Sequence, residues 1–183
     1  MGNAYQELGN YSEAKNCYIK ALSIDLDLKN PLDVATDYVN LAQFYMDIGE
    51  TFQALANANE AKKRFRQYGH RQGLLEVTVI IALIYRLLGD IEHELKHNQI
   101  ALQLAQELGH RHQEATIWNS FSLMHQRRGS WPEAVACQVK ALSLYNEIGD
   151  QDGKATSLLN LGLIVNQLGD PDKGLYLLDY RTL

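Results

Sequence analysis

Residues 40–61 read NLAQFYMDIGETFQALANANEA, and this stretch decides the fold. Leu41, Ala42, Tyr45 and Ile48 recur at helical spacing, Gly49 interrupts them, and a second run carrying Ala54 and Ala61 follows. A glycine just past an apolar-periodic segment terminates a helix, because it enters the left-handed region without a side-chain penalty. Gly9, Gly49, Gly89, Gly129 and Gly169 are spaced 40 residues apart. Gly69, Gly109 and Gly149 fall midway, with Lys29 standing where the first of that second series belongs. A helix therefore stops every 20 residues. Self-similarity at a fixed period of this size is the mark of a solenoid.

The segments between the glycines keep one register. In one first helix Ala35, Tyr38, Leu41, Ala42, Tyr45 and Ile48 share a face. The same places are taken by Leu75, Thr78, Ile81, Ala82, Tyr85 and Leu88, and later by Ala155, Leu158, Leu161, Gly162, Val165 and Leu168. Second helices place small residues at Ala14, Ala54 and Ala134, and again at Ala21, Ala61, Ala101 and Ala141, so that neighbours approach closely. Pro132 and Pro171 fall in the first turn of a second helix, where the missing N–H costs nothing. First helices are predicted near 33–48, 73–88, 113–128 and 153–168, second helices near 11–28, 51–68, 91–108 and 131–148, with partial helices at both ends. No linker interrupts the period. The expectation is one all-α domain over 1–183, with repeats at about 1–30, 31–70, 71–110, 111–150 and 151–183, about four and a half in all.

The pattern Asn40-Leu41-Ala42…Tyr45…Gly49…Ala54…Ala61, echoed by Asn160-Leu161-Gly162…Gly169, resembles the tetratricopeptide repeat. Its 40-residue period is similar to the extended-helix type of kinesin light chains, Leu-Gly-Asn-type adaptors and bacterial regulatory proteins. The resemblance implies a right-handed superhelical solenoid of antiparallel helix pairs, whose first helices line a concave peptide-binding groove. Met1 falls in the place of Leu41, and Leu175, Leu177 and Leu178 have no following repeat to cover them, so the chain reads as a piece of a longer protein.

Composition narrows the function classes. The 183 residues are 46% hydrophobic, which suits a folded domain with a sizeable core. A net charge of −5 argues against nucleic acid, whose binding needs a basic patch. The most apolar run, Val77 to Tyr85, is far shorter than the ~20 residues a spanning helix needs. The first residues lack the charged and apolar regions of a signal peptide, and two cysteines suit a reducing, cytoplasmic compartment. Cys17 and Cys137 lie 120 residues apart, three repeats, so their stacked positions are roughly 30 Å apart and cannot be bridged. Asn10-Tyr11-Ser12 matches a glycosylation acceptor but reads more simply as a turn and helix start.

One motif invites a catalytic reading. His93-Glu94-Leu95-Lys96-His97 puts two imidazoles on one helix face with a carboxylate between them, the arrangement of a zinc protease. No third ligand follows at a recognisable spacing, and Glu94 stands where Ala14, Ala54, Ala134 and Gly174 pack against neighbouring helices. An ion pair of Glu94 with His125 and Arg128 is expected instead, since a lone buried carboxylate is costly. No metal, cofactor or catalytic set is expected.

The chemistry is expected on the groove. Its predicted lining is Asn40, Gln43, Val79, Ile80, Leu83, Arg86, Leu87, Asn119, Leu123, Arg127, Asn160 and Leu163, with Asp47 one turn beyond Gln43. By the resemblance, Asn40 and Asn160 would hold a ligand backbone, unless their amides bond a neighbouring helix. Val79, Ile80, Leu83, Leu87 and Leu123 form an expected exposed apolar patch flanked by Arg86, Arg127 and Arg128, suited to a segment with apolar anchors and an acidic residue. The family's clamp for terminal carboxylates needs Lys, Arg and Asn where Val79, Ile80 and Leu83 stand. Three readings compete: an adaptor binding another protein's peptide or helix, a sensor module regulating an effector domain, and a homo-oligomer built through the patch or the open ends.

Overall fold

The computed structural model describes residues 2–169. Among them are nine α-helices and no strand: α1 (Gly2–Glu7), α2 (Tyr11–Asp27), α3 (Pro31–Asp47), α4 (Thr51–Gln67), α5 (Arg71–Leu88), α6 (Ile91–Leu108), α7 (Arg111–Arg127), α8 (Trp131–Ile148) and α9 (Gln151–Gln167). The chain is an all-α helical-repeat protein of the solenoid class. Pro171, Gly174, Leu175, Leu177, Leu178 and the expected last helix lie outside the described residues, as does Met1.

The first helices start two residues earlier than the periodicity suggests, because a cap residue follows the terminating glycine at once. Asp150 accepts a hydrogen bond from the Gly153 amide at 2.9 Å, His70 accepts one from Gly73 through Nδ1 at 2.9 Å, and Pro31 opens α3. At the terminator positions every glycine has positive φ, and Lys29 adopts φ 55° in the place where glycine is missing. The backbone geometry is thus fixed by the repeat, and Lys29 bears the strain of meeting it.

Two compact units divide the chain, residues 1–97 and 98–183, with the boundary inside α6. In the first unit Ala54, Ala58 and Ala61 of α4 let α3 and α5 close over it, burying Ala35, Ala42, Val77, Ile81 and Ile84. Phe44 is enclosed between Tyr18 and Tyr45, with ring centroids 5.6 and 5.4 Å away. In the second unit Ala115 packs with Ala141 and Tyr145, and Ala134 and Val135 pack with Leu161 and Ile164.

Two further features depart from the sequence reading. Ala155, Leu158 and Gly162, expected on a core face, are exposed, because α9 turns Ser157, Leu161 and Ile164 inward instead. Phe65 and Tyr145 each lie over a glycine of the next helix, Gly73 and Gly153, where a Cβ would overlap the ring.

Candidate functional site

The first unit carries a walled cleft of about 640 Å³. It is lined by Asn3, Gln6 and Glu7 of α1, by Asn40, Gln43, Met46 and Asp47 of α3, by Ile80 and Leu83 of α5, and by Tyr11 and Tyr18 of α2. Three α1 residues and three α3 residues are the same repeat places, 40 apart, so the helix register itself builds the cleft.

Hydrogen bonds hold the polar end in shape. Gln6 Nε2 donates to Asp47 Oδ2 at 2.5 Å, while Gln6 Oε1 accepts from the Tyr18 hydroxyl at 2.9 Å. Asn3 Oδ1 lies 2.5 Å from the same hydroxyl and shares its single proton with Gln6 Oε1. Burial pushes the Tyr18 phenol above its ordinary range, and the carboxylate of Asp47 and the thiol of Cys17 add to the shift. The lining residues include two carboxylates, Glu7 and Asp47, and no Lys, Arg or His.

Five of the sequence-predicted groove residues, Asn40, Gln43, Asp47, Ile80 and Leu83, line this cleft. The expected exposure of Ile80 is corrected: it is 8% exposed and belongs to the core, because α5 buries a broader arc than a two-helix contact needs. Val79 and Arg86 are half-buried on α5 and Leu87 is exposed, all three outside the lining. In the second unit Leu123, Arg127 and Leu163 are exposed and Asn160 is half-buried. Asn119 is committed internally: its Nδ2 donates to the Tyr145 hydroxyl at 3.2 Å and its Oδ1 accepts from Gln138 Nε2 at 2.6 Å. Asn3, Gln6, Glu7, Tyr11, Tyr18 and Met46 were not among the predicted site. Subtracting one period from Gln43, Met46 and Asp47 finds the three α1 residues; the tyrosines, on a second helix, have no such signal.

The His-Glu-x-x-His segment serves packing. His93 and His97 both stack on Tyr85, with centroids 4.8 and 5.3 Å away. His93 Nδ1 lies 2.8 Å from Asp90 Oδ2, and His97 Nδ1 lies 2.9 Å from the His93 carbonyl. Burial holds the His97 imidazole below its usual range, outweighing that carbonyl. Glu94 is 1% exposed and engaged by neighbouring groups; it belongs to the first unit, His125 and Arg128 to the second. Among the described residues no three His, Cys, Asp or Glu side chains cluster to hold a metal ion. Cys17 and Cys137 are free thiols, the latter pushed up by burial. None of the described helices is long and apolar enough to cross a membrane.

A second cavity, of about 440 Å³, is lined by Asn59, Lys62, Lys63, Arg66 and Gln67 of α4. Burial lowers the Lys62 ammonium pKa, and Arg66 and Lys96 lower it further. Its three basic side chains make a local cationic spot on an acidic chain.

Repeated helix pairs and a cleft walled by successive first helices define a helical-repeat interaction module. Profiles of the tetratricopeptide repeat match residues 1–28 and 113–178, together just over half the chain, and the chain belongs to that family. It is 24% identical over 164 residues to the 43 kDa receptor-associated protein of the synapse from Tetronarce californica, covering 88% of this chain. The chain spans about 40% of that relative's length. Aspartyl phosphate phosphatase F from Bacillus subtilis superposes with a TM-score of 0.88 at 17% identity, over 96% of this chain and 46% of that one. A Rap protein complexed with competence and sporulation factor superposes at 0.77 with 20% identity, over 98% of this chain and 50% of that one.

Proposed function

We propose that this chain is a protein-interaction module that holds a segment of another polypeptide against the face of α1, α3 and α5. The observation that carries this is the 640 Å³ cleft, open enough for several side chains and lined by amides, hydroxyls and aliphatic groups together. Amide side chains can hold a peptide backbone, while Ile80 and Leu83 accept an apolar anchor. The module supplies binding and no catalysis of its own. A regulatory role is supported by the likeness to a Rap protein solved in complex with competence and sporulation factor, a precedent for a bound partner on this fold.

Leu83→Asp combined with Gln43→Arg tests the reading, because both residues line the cleft and neither belongs to the fully buried core. Ile80→Asp is unsuitable, since a carboxylate at an 8% exposed core position would unfold the unit. The expected outcome is loss of peptide capture with an unchanged circular dichroism spectrum; undiminished capture overturns the proposal.

A further inference from the structure

We infer that the segment held in this cleft presents a cationic side chain, Arg or Lys, close to an aliphatic one. This rests on the groove reading above and names its partner chemistry. The sequence suggested an acidic partner residue because Arg86, Arg127 and Arg128 flank the expected patch. The structure puts Arg86 outside the lining and the other two in the second unit, while the cleft itself holds Glu7 and Asp47.

Complementarity decides the sign. Asp47 accepts one hydrogen bond from Gln6, and a carboxylate offers roughly four lone-pair directions, so acceptor capacity is left over. Covering these carboxylates with a neutral segment would strip their water without replacing it, and an acidic segment would add like-charge repulsion. A guanidinium supplies several donors in a planar fork and also stacks on aromatic rings, and the exposed Tyr11 lies within the same lining. An ammonium supplies the charge and three donors. Met46, Ile80 and Leu83 set the second requirement, since an apolar surface beside the carboxylates favours an aliphatic neighbour over a second charge.

Selection of a displayed library of random twelve-residue peptides on the full chain tests this. Clones whose binding is lost in the Leu83→Asp/Gln43→Arg variant are the cleft binders. They are expected to be enriched in Arg or Lys near Leu, Ile or Met. Their synthetic peptides should bind the Glu7→Gln/Asp47→Asn variant about tenfold more weakly, a change of about 1.4 kcal/mol. Both substitutions are near-isosteric, and circular dichroism with an unchanged melting midpoint confirms the fold. Cleft binders that are acidic or uncharged, or that bind the neutralised variant equally well, overturn this inference and leave the groove reading standing. A selection that yields no cleft-dependent clone overturns both.

Discussion

The α3/α4 pair and the α7/α8 pair are built at the same repeat places with opposite chemistry. Val39, Ala58 and Phe65 in the first are replaced 80 residues on by Asn119, Gln138 and Tyr145. The first set is apolar, with Ala58 and Phe65 enclosed in the core. The second is a hydrogen-bonded chain: Gln138 donates to Asn119, which donates to the Tyr145 hydroxyl, itself 3.2 Å from Thr116 Oγ1. Gln138 is fully buried, yet its Oε1 has no partner. One backbone thus tolerates either a dry or a polar seam. Where the seam is polar it engages Asn119, one of the residues expected on the groove. The cleft sits in the unit whose α3/α4 seam is dry, where Asn40 and Gln43 line it.

The feature both pairs share gives the largest expected effect. Gly73→Ala and Gly153→Ala each force a Cβ into an aromatic ring and should cost about 1–3 kcal/mol in urea denaturation. Combining Gly73→Ala with Phe65→Leu should recover part of that loss, whereas additive losses would show that the ring is not the obstacle. Next, Tyr145→Phe removes the hydroxyl that satisfies Asn119 and should cost about 1–2 kcal/mol. The triple change Asn119→Val/Gln138→Ala/Tyr145→Phe recreates the dry seam, so it should cost less than the sum of its single changes by about 1 kcal/mol.

A third version of the seam sharpens the comparison by pH. Asp25 occupies the place of Phe65 and Tyr145, and Asp37 that of Val77 and Ser157. Burial raises the Asp37 carboxyl to about 6, helped by a hydrogen bond and repulsion from Asp25 and by Asp33. A folded pKa above the unfolded value means stability fully present below about pH 4 and lost as pH rises through 6. Asp37→Asn should therefore raise the melting midpoint at pH 7, by about 2–4 °C once solvent screening is allowed for, and leave it unchanged at pH 4. The smallest effect is at the strained turn: Lys29→Gly should stabilise by about 0.5–1 kcal/mol, the left-handed penalty less the entropy of glycine.

The period made most of the fold legible. Spaced glycines located each turn, and alternating first and second helices followed from their 20-residue spacing. Helix starts were less legible, because His70 and Asp150 cap from the residue directly after the glycine, where a periodicity count has not yet begun. Asn40, Gln43 and Leu83 could be placed on the cleft because register alone assigns them to a face. Tyr18 could not, since it belongs to a second helix and reaches the cleft only by the length of its side chain. Asn119 shows the opposite limit: register put it on the face, and a hydroxyl 26 residues away turned it inward.

Amide hydrogen exchange of the full chain, with and without a peptide selected on it, tests the central claim most directly. Binding at the cleft predicts slowed exchange in α1, in α3 around residues 40–47 and in α5 around residues 80–83, with little change in α4 and α8. Protection confined to the cationic residues 59–67, or to α7–α9 with none around residues 40–47, would contradict it.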